Sequence, residues 1–281
     1  MNYEPLIAKF IKWAQVQPDI RAVIVVGSRA RIDHPADEWA DLDLQLFATD
    51  FSPYLSSTDW LDSLGSVWVC IPYQLSESEP QRLVLFDGGY KVDFHFFHVS
   101  ELQRMVQTQT LDEVYCRGYY PILDKGGMAA QLPPPSKPSP HARPAEGDFL
   151  SCVNMFWYGA LAGARAIRRR DLWFVKAGDW RLKGHLLEMM EWHAQAVHGW
   201  DYDTWYGGKY LLDWIDPQSK RSLDHVFGHF ESTDSWRALF ATVDLFRRLA
   251  RETAQMLEYA YPGVLDEHVT RYVEMLYRGD E

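Results

Sequence analysis

The chain contains 281 residues, of which 47% are hydrophobic, and it carries a formal net charge of −11 at pH 7. This length predicts about two domains, each able to bury a core of its own. Most of the excess acid lies in residues 1–130, which disfavours a nucleic-acid backbone as partner, and no apolar run reaches the roughly 18 residues that a membrane span needs.

The N-terminal segment predicts a helix over residues 5–17, followed by a buried strand and a tight turn. The β-branched run at residues 22–26 is too short for a helix and stops at Gly27. Glycine lacks the Cβ that would keep the backbone away from a phosphate, Ser28 offers a hydroxyl and an amide, and Arg29 offers a planar cationic fork. These three residues are candidate nucleotide-phosphate ligands, although a lone Gly-Ser-Arg is commonly only a turn.

Residues 41–47 predict a second strand, because leucines alternate there with polar residues. The alternation directs Asp41 and Asp43 to the same face, with Cα atoms about 6.6 Å apart. Two carboxylates so placed can converge on one or two cations. An isolated Asp-x-Asp pair is otherwise typical of a solvated strand face.

A hairpin is predicted from residues 82–86 and 91–97, joined by a glycine turn at residues 87–89. Asp93 lies among aromatic residues of the second strand, where a carboxylate needs a cation or a proton-transfer role to justify burial. Together Asp41, Asp43 and Asp93 form a candidate catalytic site. Their hard oxygen ligands favour Mg²⁺ or Mn²⁺ over zinc, and Asp93 is also a candidate general base.

The sequence changes character at a proline-rich stretch. Residues 131–147 contain several prolines, which fix φ and remove backbone donors, so they predict an extended linker. Helix and strand patterns alternate before it, in residues 1–130, and the periodicity is helical after it, in residues 148–281. We therefore expect an α+β protein with an N-terminal mixed-sheet domain followed by an all-α helical bundle.

The hydrophobic spacing of the C-terminal half also locates individual helices. Good capping residues precede two of them. The predicted helices cover residues 149–170 and 180–197, a segment that starts after the N-cap Asp216 and Pro217, and a long segment capped by Thr233 or Asp234 that reaches residue 259.

Lys209 follows Gly207 and Gly208, so a flexible backbone could present its ammonium group to a triphosphate. The same Gly-Gly-Lys sequence is equally compatible with a loop that starts a helix and carries an exposed lysine. Lys183 is a weaker candidate for that role.

Several polar residues on the predicted helix 180–197 resemble metal ligands. The spacings of His185, Glu188, Glu191 and His193 miss the His-Glu-x-x-His and Glu-x-x-His patterns, so no metal site is predicted among them. Acids and aromatic rings could instead line a pocket for a cationic sugar, although core packing or a solvated helix face explains any one of them. The candidates are Asp148, Glu188, Glu191, Trp157, Trp192 and Trp205.

The motifs in combination resemble a known family. Residues 26–29, 35–43, 85–87 and 91–93 together look like the aminoglycoside 6-adenylyltransferases, also called streptomycin adenylyltransferases, of the polymerase-β-like nucleotidyltransferase superfamily. The resemblance extends through most of the chain, including residues 156–157, 208–210 and 259–262.

The resemblance implies a nucleotidyltransferase domain followed by a helical acceptor-binding domain. The implied reaction is transfer of AMP from ATP to a hydroxyl of an aminoglycoside, similar to the 6-hydroxyl of streptomycin, with release of pyrophosphate and resistance to the antibiotic. The residues themselves suggest how: two cations held by Asp41 and Asp43 would activate the acceptor and neutralise the phosphates, while Ser28 and Arg29 fix the triphosphate.

The expected partners are ATP and a cationic small-molecule acceptor, which the acidic N-terminal half would attract, unless that charge serves only solubility. Another small molecule, a protein or an RNA end are alternative acceptors, and a nucleotide-binding protein without turnover is a non-enzymatic alternative. Three scattered cysteines and an N-terminus without a signal-peptide pattern predict a cytoplasmic protein. The sequence leaves base preference and oligomeric state open.

Overall fold

The first half of the chain folds around a mixed sheet. The computed structural model describes residues 1–76 and 79–279, and it divides into one unit, Met1–Ser139, and a second that begins at Pro140. The strands of the sheet are β1 Ile20–Val26, β2 Leu42–Ala48, β3 Val67–Ser76, β4 Glu79–Phe86, β5 Tyr90–His98 and β6 Tyr120–Asp124. Their order is β3-β4-β5-β2-β1-β6, and β2 and β5 are parallel whereas the other neighbouring pairs are antiparallel.

Both faces of this sheet are covered. On one face Phe10 and Trp60 pack against Phe94 of β5, with ring centroids 5.6 and 5.0 Å away. On the other face Phe47 of β2 is buried in a cluster that includes Leu102. A central strand buried on both sides carries a continuous apolar run, which explains the sequence of β1. The helices of this unit are α1 Glu4–Val16, α2 Ser52–Ser56, α3 Val99–Thr108 and α4 Glu113–Cys116.

The predicted hairpin of β4 and β5 is confirmed, whereas two strands of the sheet were not predicted from the sequence. β4 and β5 pair across a turn in which Gly88 and Gly89 have φ angles of +81° and +80°. The missed strands, β3 and β6, lie at the two edges of the sheet. They contain Pro72 and Pro121 respectively, and an edge strand tolerates proline because one row of its N–H groups needs no partner in the sheet.

The second unit is helical, which confirms the predicted α+β class. Phe156 stacks on Phe246 at its centre, with ring centroids 3.6 Å apart and planes 3° from parallel. Among the residues described, no helix has both the length and the apolar character needed to cross a membrane. The helices are α5 Glu146–Arg168, α6 Leu172–His198, α7 Leu211–Trp214, α8 Pro217–Val226, α9 Ser232–Leu257 and α10 Gly263–Arg278.

The helix ends test the capping predictions. Asp216 caps α8 as predicted, since its side chain accepts hydrogen bonds from the amides of Gln218 and Ser219. The cap predicted for α9 was wrong, because Glu231 accepts the hydrogen bonds from the Thr233 and Asp234 amides. The helix begins at Ser232, so Glu231 occupies the N-cap position and Thr233 and Asp234 already lie in the first turn. α6 also begins before the predicted residue 180.

A buried ion network ties α9 to α10. The carboxylate of Asp266 is only 2% exposed and accepts hydrogen bonds from Arg247, Arg251, Tyr261 and Thr270 at 2.9–3.1 Å. Burial raises the pKa of Asp266, but Arg247, together with the hydrogen bonds from Tyr261 and Thr270, outweighs burial and the pKa lies below its ordinary value. The carboxylate is therefore charged and paired inside the bundle.

We predict that Asp266→Ala lowers the free energy of unfolding by about 3–5 kcal/mol, because it leaves Arg247 without its buried partner. Asp244→Ala removes an exposed partner of the same arginine and should cost less than about 1 kcal/mol. Since folding lowers the pKa of Asp266, its contribution is present above the unfolded pKa and is lost as pH falls through the folded one. Urea melts at neutral and acidic pH measure both effects, and equal losses in the two variants would contradict the assignment.

Candidate active site

Parallel pairing of β2 with β5 brings the predicted acidic residues together. Asp43 of β2 is the register partner of Asp93 of β5, and Asp41 lies one residue before β2 begins. Neighbouring residues in register present their side chains on the same face of a sheet. One carboxylate oxygen from each of Asp41, Asp43 and Asp93 lies within 4.8 Å of the others. The structure thus brings together the three carboxylates that the sequence analysis grouped as a candidate site.

The Gly27–Arg29 turn continues directly from β1 and lies against the cluster. Val26, the last residue of β1, is the register partner of Asp43. Gly27 has a φ of +68°, and a Cβ built on it would lie 2.1 Å from Oδ2 of Asp43. The glycine therefore allows the turn to approach a carboxylate, a role that the sequence did not indicate.

Arg29 holds the segment that carries Asp41. Its Nε donates to the carbonyl of Asp41 at 2.9 Å, and its Nη2 donates to the carbonyl of Ala40 at 2.6 Å. The guanidinium carbon also lies 4.1 Å from the ring centroid of Tyr3. Much of the fork predicted for phosphate is thus occupied by the protein backbone, and a contact with phosphate stays a prediction.

Tyr3 is a site residue that the sequence did not reveal. Besides stacking under Arg29, its hydroxyl donates to the Lys91 carbonyl at 3.0 Å and accepts from the Lys91 amide at 3.1 Å. Burial raises the pKa of Tyr3. One side chain from the start of the chain therefore braces both Arg29 and the beginning of β5.

Lys91 provides positive charge inside the acidic cluster. Its ammonium lies 2.6 Å from Oδ2 of Asp41 and 2.9 Å from Oδ2 of Asp93. Burial lowers its pKa, but hydrogen bonds to the two carboxylates more than compensate and the pKa of Lys91 lies above its ordinary value. The alternation of β5 gave a signal for this contact, since residues 91 and 93 share a face.

Two buried polar atoms at the site lack partners in the described part of the chain. They are Oδ1 of Asp93 and Oγ of Ser28. A carboxylate oxygen withdrawn from water without a donor is costly unless a cation or a ligand completes it. Three carboxylates with an uncompensated oxygen fit a divalent cation with a preference for oxygen, such as Mg²⁺ or Mn²⁺.

Lys209 lies in the second unit, on the loop before α7. Gly207 and Gly208 both have positive φ, and the exposed Lys209 ammonium lies about 6 Å from the ring centroids of Tyr206 and Tyr210. A role in triphosphate binding stays a prediction. The weaker candidate, Lys183, is buried and donates to Asp179 and Thr242.

Three of the residues predicted to line a pocket for a cationic sugar lie around one pocket of the second unit. Asp148, Glu188 and Trp192 line a pocket of about 390 Å³. Burial, with a contribution from Glu188, raises the pKa of Glu191 to about 7. The other two candidates, Trp157 and Trp205, belong to the hydrophobic core of the bundle, as packing alone would predict.

Comparison with known proteins reveals similarity along nearly the whole chain. The profile of the family described as "Streptomycin adenylyltransferase" matches residues 1–276. An aminoglycoside 6-adenylyltransferase from Bacillus subtilis (strain 168) is 24% identical over 278 residues, 95% of each chain. One from Campylobacter jejuni is 23% identical over 271 residues, 94% of this chain and 91% of that protein. A crystal structure of an aminoglycoside 6-adenyltransferase from Bacillus subtilis aligns over 99% of both chains, with 20% identity and a TM-score of 0.48.

We predict that Gly27→Ala weakens Mn²⁺ binding at least tenfold, because the new methyl group displaces Asp43. Gly127→Ala is a matched control: its φ of +66° imposes the same backbone strain, about 1–2 kcal/mol, but nothing lies within 4 Å of the added carbon. Electron paramagnetic resonance of free Mn²⁺ measures the affinities. Equal weakening in both variants would assign the effect to backbone strain.

Lys91→Met should have opposite effects on stability and on cation affinity. Without the ammonium, Asp41 and Asp93 repel each other and the metal-free protein unfolds at a lower temperature. The same repulsion, and the loss of a competing positive charge, should tighten Mn²⁺ binding about tenfold, equivalent to about 1.4 kcal/mol. Lys12→Met, on the exposed face of α1, makes the same change in net charge and should alter neither property. Mn²⁺ binding that is unchanged or weaker in Lys91→Met would show that Lys91 does not compete with the cation.

Proposed function

Because this chain belongs to the streptomycin adenylyltransferase family and is therefore a nucleotidyltransferase, we propose that it transfers AMP from ATP to a hydroxyl of an aminoglycoside, releasing pyrophosphate. The proposed acceptor is streptomycin or a close analogue, modified at its 6-hydroxyl, and the consequence is resistance to that antibiotic. The observation that carries the proposal is the convergence of Asp41, Asp43 and Asp93 beside the Gly27–Arg29 turn.

Asp41, Asp43 and Asp93 would hold the cations of the reaction. When bound, a pair of Mg²⁺ or Mn²⁺ ions neutralises phosphate charge and lowers the pKa of the acceptor hydroxyl. Oδ1 of Asp93 is a candidate to accept the proton of that hydroxyl, because it is buried and has no donor among the described residues.

The turn after β1 would bind the triphosphate. Ser28 offers a hydroxyl with no partner among the described residues, and the backbone of the turn follows a glycine. Arg29 would act mainly by fixing the carbonyls of Ala40 and Asp41, and hence the carboxylate of Asp41. Lys209 is a further proposed ligand for the triphosphate. These contacts supply orientation, which accounts for much of the rate in phosphoryl-type transfers.

The second unit would recognise the acceptor. The pocket lined by Asp148, Glu188 and Trp192 combines carboxylates with an aromatic face. Carboxylates pair with guanidinium and ammonium groups, and indole rings stack on sugars and cations. This chemistry supports a polycationic sugar as the acceptor in preference to an anionic one.

We predict that the purified protein, supplied with ATP, Mg²⁺ and streptomycin, releases pyrophosphate. Asp41→Asn and Asp93→Asn should each reduce the rate at least about 100-fold, because each removes a charge that no other group replaces. Both are nearly isosteric, so circular dichroism should show an intact fold. Asp62→Asn, an exposed acid of the same unit, is the control and should retain full activity.

The outcomes of this assay separate the alternatives. Retained activity in Asp41→Asn would contradict the site assignment. Release with another aminoglycoside, but not with streptomycin, would keep the reaction and replace the acceptor. Binding of ATP without release for any acceptor in a broad panel would favour a non-catalytic nucleotide-binding protein. Parallel assays with GTP and CTP measure the base preference.

A further inference from the structure

We propose that Cys152, His185 and Glu188 form a second metal site, for Zn²⁺ or a similar borderline-soft divalent cation, within the helical unit. One donor atom from each side chain lies within 4.8 Å of the others. The site shares no residue with the carboxylate cluster of the sheet, although Glu188 also lines the pocket proposed above for the acceptor.

Two packed helices supply the three ligands. Cys152 lies on α5, whereas His185 and Glu188 lie one turn apart on α6. Side chains at positions i and i+3 of a helix face the same way, and Nδ1 of His185 lies 3.7 Å from Oε2 of Glu188. Cys152 reaches this pair from the neighbouring helix, and its Sγ lies 3.7 Å from the carbonyl of His185. Long packed helices therefore fix the spacing of the donors.

The mixture of donors indicates which metal the site would take. Thiolate sulfur, imidazole nitrogen and carboxylate oxygen are the three donor types that proteins use for zinc. Mg²⁺ and Ca²⁺ prefer oxygen ligands only, so the two sites of this protein would select different ions.

The surroundings favour an open coordination position. Cys152, His185 and Glu188 all line the pocket of about 390 Å³ that also contains Asp148 and Trp192. Zinc sites with three protein ligands keep a fourth position for water or another molecule. The pocket provides room for that fourth ligand.

Metal binding would exchange a proton at Cys152. Burial, together with Glu188, raises the pKa of the thiol, so the metal-free protein carries Cys152 as S–H. On binding, the S–H proton passes to solvent and the sulfur binds the cation as a thiolate. The balance of atoms and charge needs no oxidant or other co-reactant.

The test uses the full chain, stripped of metal by a chelator and titrated with Co²⁺. A bound thiolate gives Co²⁺ a sulfur-to-metal charge-transfer absorption in the near ultraviolet. We expect this band to saturate at one equivalent and to disappear when Zn²⁺ is added. Cys152→Ser should abolish it. Cys116→Ser, in the other unit, is the control and should leave it unchanged.

Two further variants keep the test decisive if Cys152→Ser fails to fold. His185→Gln and Glu188→Gln alter half-buried side chains and should each weaken Co²⁺ binding at least tenfold. Absence of the band in the parent protein would overturn the proposal, as would its persistence in Cys152→Ser or undiminished affinity in both glutamine variants. Asp93→Asn should retain the band, so failure of the proposed adenylyl transfer and failure of this site are separate results.

Discussion

Electrostatic crowding of three carboxylates is the constraint on which the N-terminal site depends. Like charges within 4.8 Å of one another repel, and the repulsion grows as water is excluded. The fold offsets this repulsion in two ways. The hydrogen-bonded pairing of β2 with β5 fixes the backbone positions of Asp43 and Asp93. Lys91 supplies a positive charge to the carboxylates of Asp41 and Asp93. The same repulsion would favour a divalent cation at the cluster, because a cation neutralises all three charges at once.

Much of this site could be predicted because strand alternation is a local property. The turn after β1, the strand that carries Asp43 and the hairpin that carries Asp93 are each visible in a short window of sequence. The contacts between these separate segments cannot be predicted from such a short stretch of sequence. A guanidinium fork that suits a phosphate suits two backbone carbonyls equally well, so the attachment of Arg29 to Ala40 and Asp41 could not be read from its identity.

The edges of the sheet show the limits of pattern reading in another way. β3 and β6 each have a neighbour on one side only, so their sequences tolerate prolines that contradict a strand pattern. β3 also exposes Trp68, Ile71 and Tyr73 to solvent. A strand with apolar residues on an uncovered surface lacks the alternation by which β2 and β5 were recognised.

In the helical unit, the spacing of apolar residues predicted the helices well. The spacing of polar residues along one helix did not predict which side chains meet. His185 and His193 share α6, but His193 pairs with Glu252 of α9 at 2.7 Å. Cys152 instead joins His185 from another helix, 33 residues earlier in the chain. Motif searches that require ligands at fixed intervals on one helix cannot detect such a group.

The pairing of Asp43 with Asp93 also links the geometry of the candidate active site to the hydrophobic core. Val92, Phe94 and Phe96 alternate with Asp93 along β5 and are fully buried on the opposite face. Sliding β5 by a single residue would expose all three and turn the carboxylate away from its partner. The packing of Phe10 and Trp60 against Phe94 therefore keeps the acids in register. Substitutions in the hydrophobic core can therefore disrupt the arrangement of these carboxylates, although the substituted residues are not part of the site.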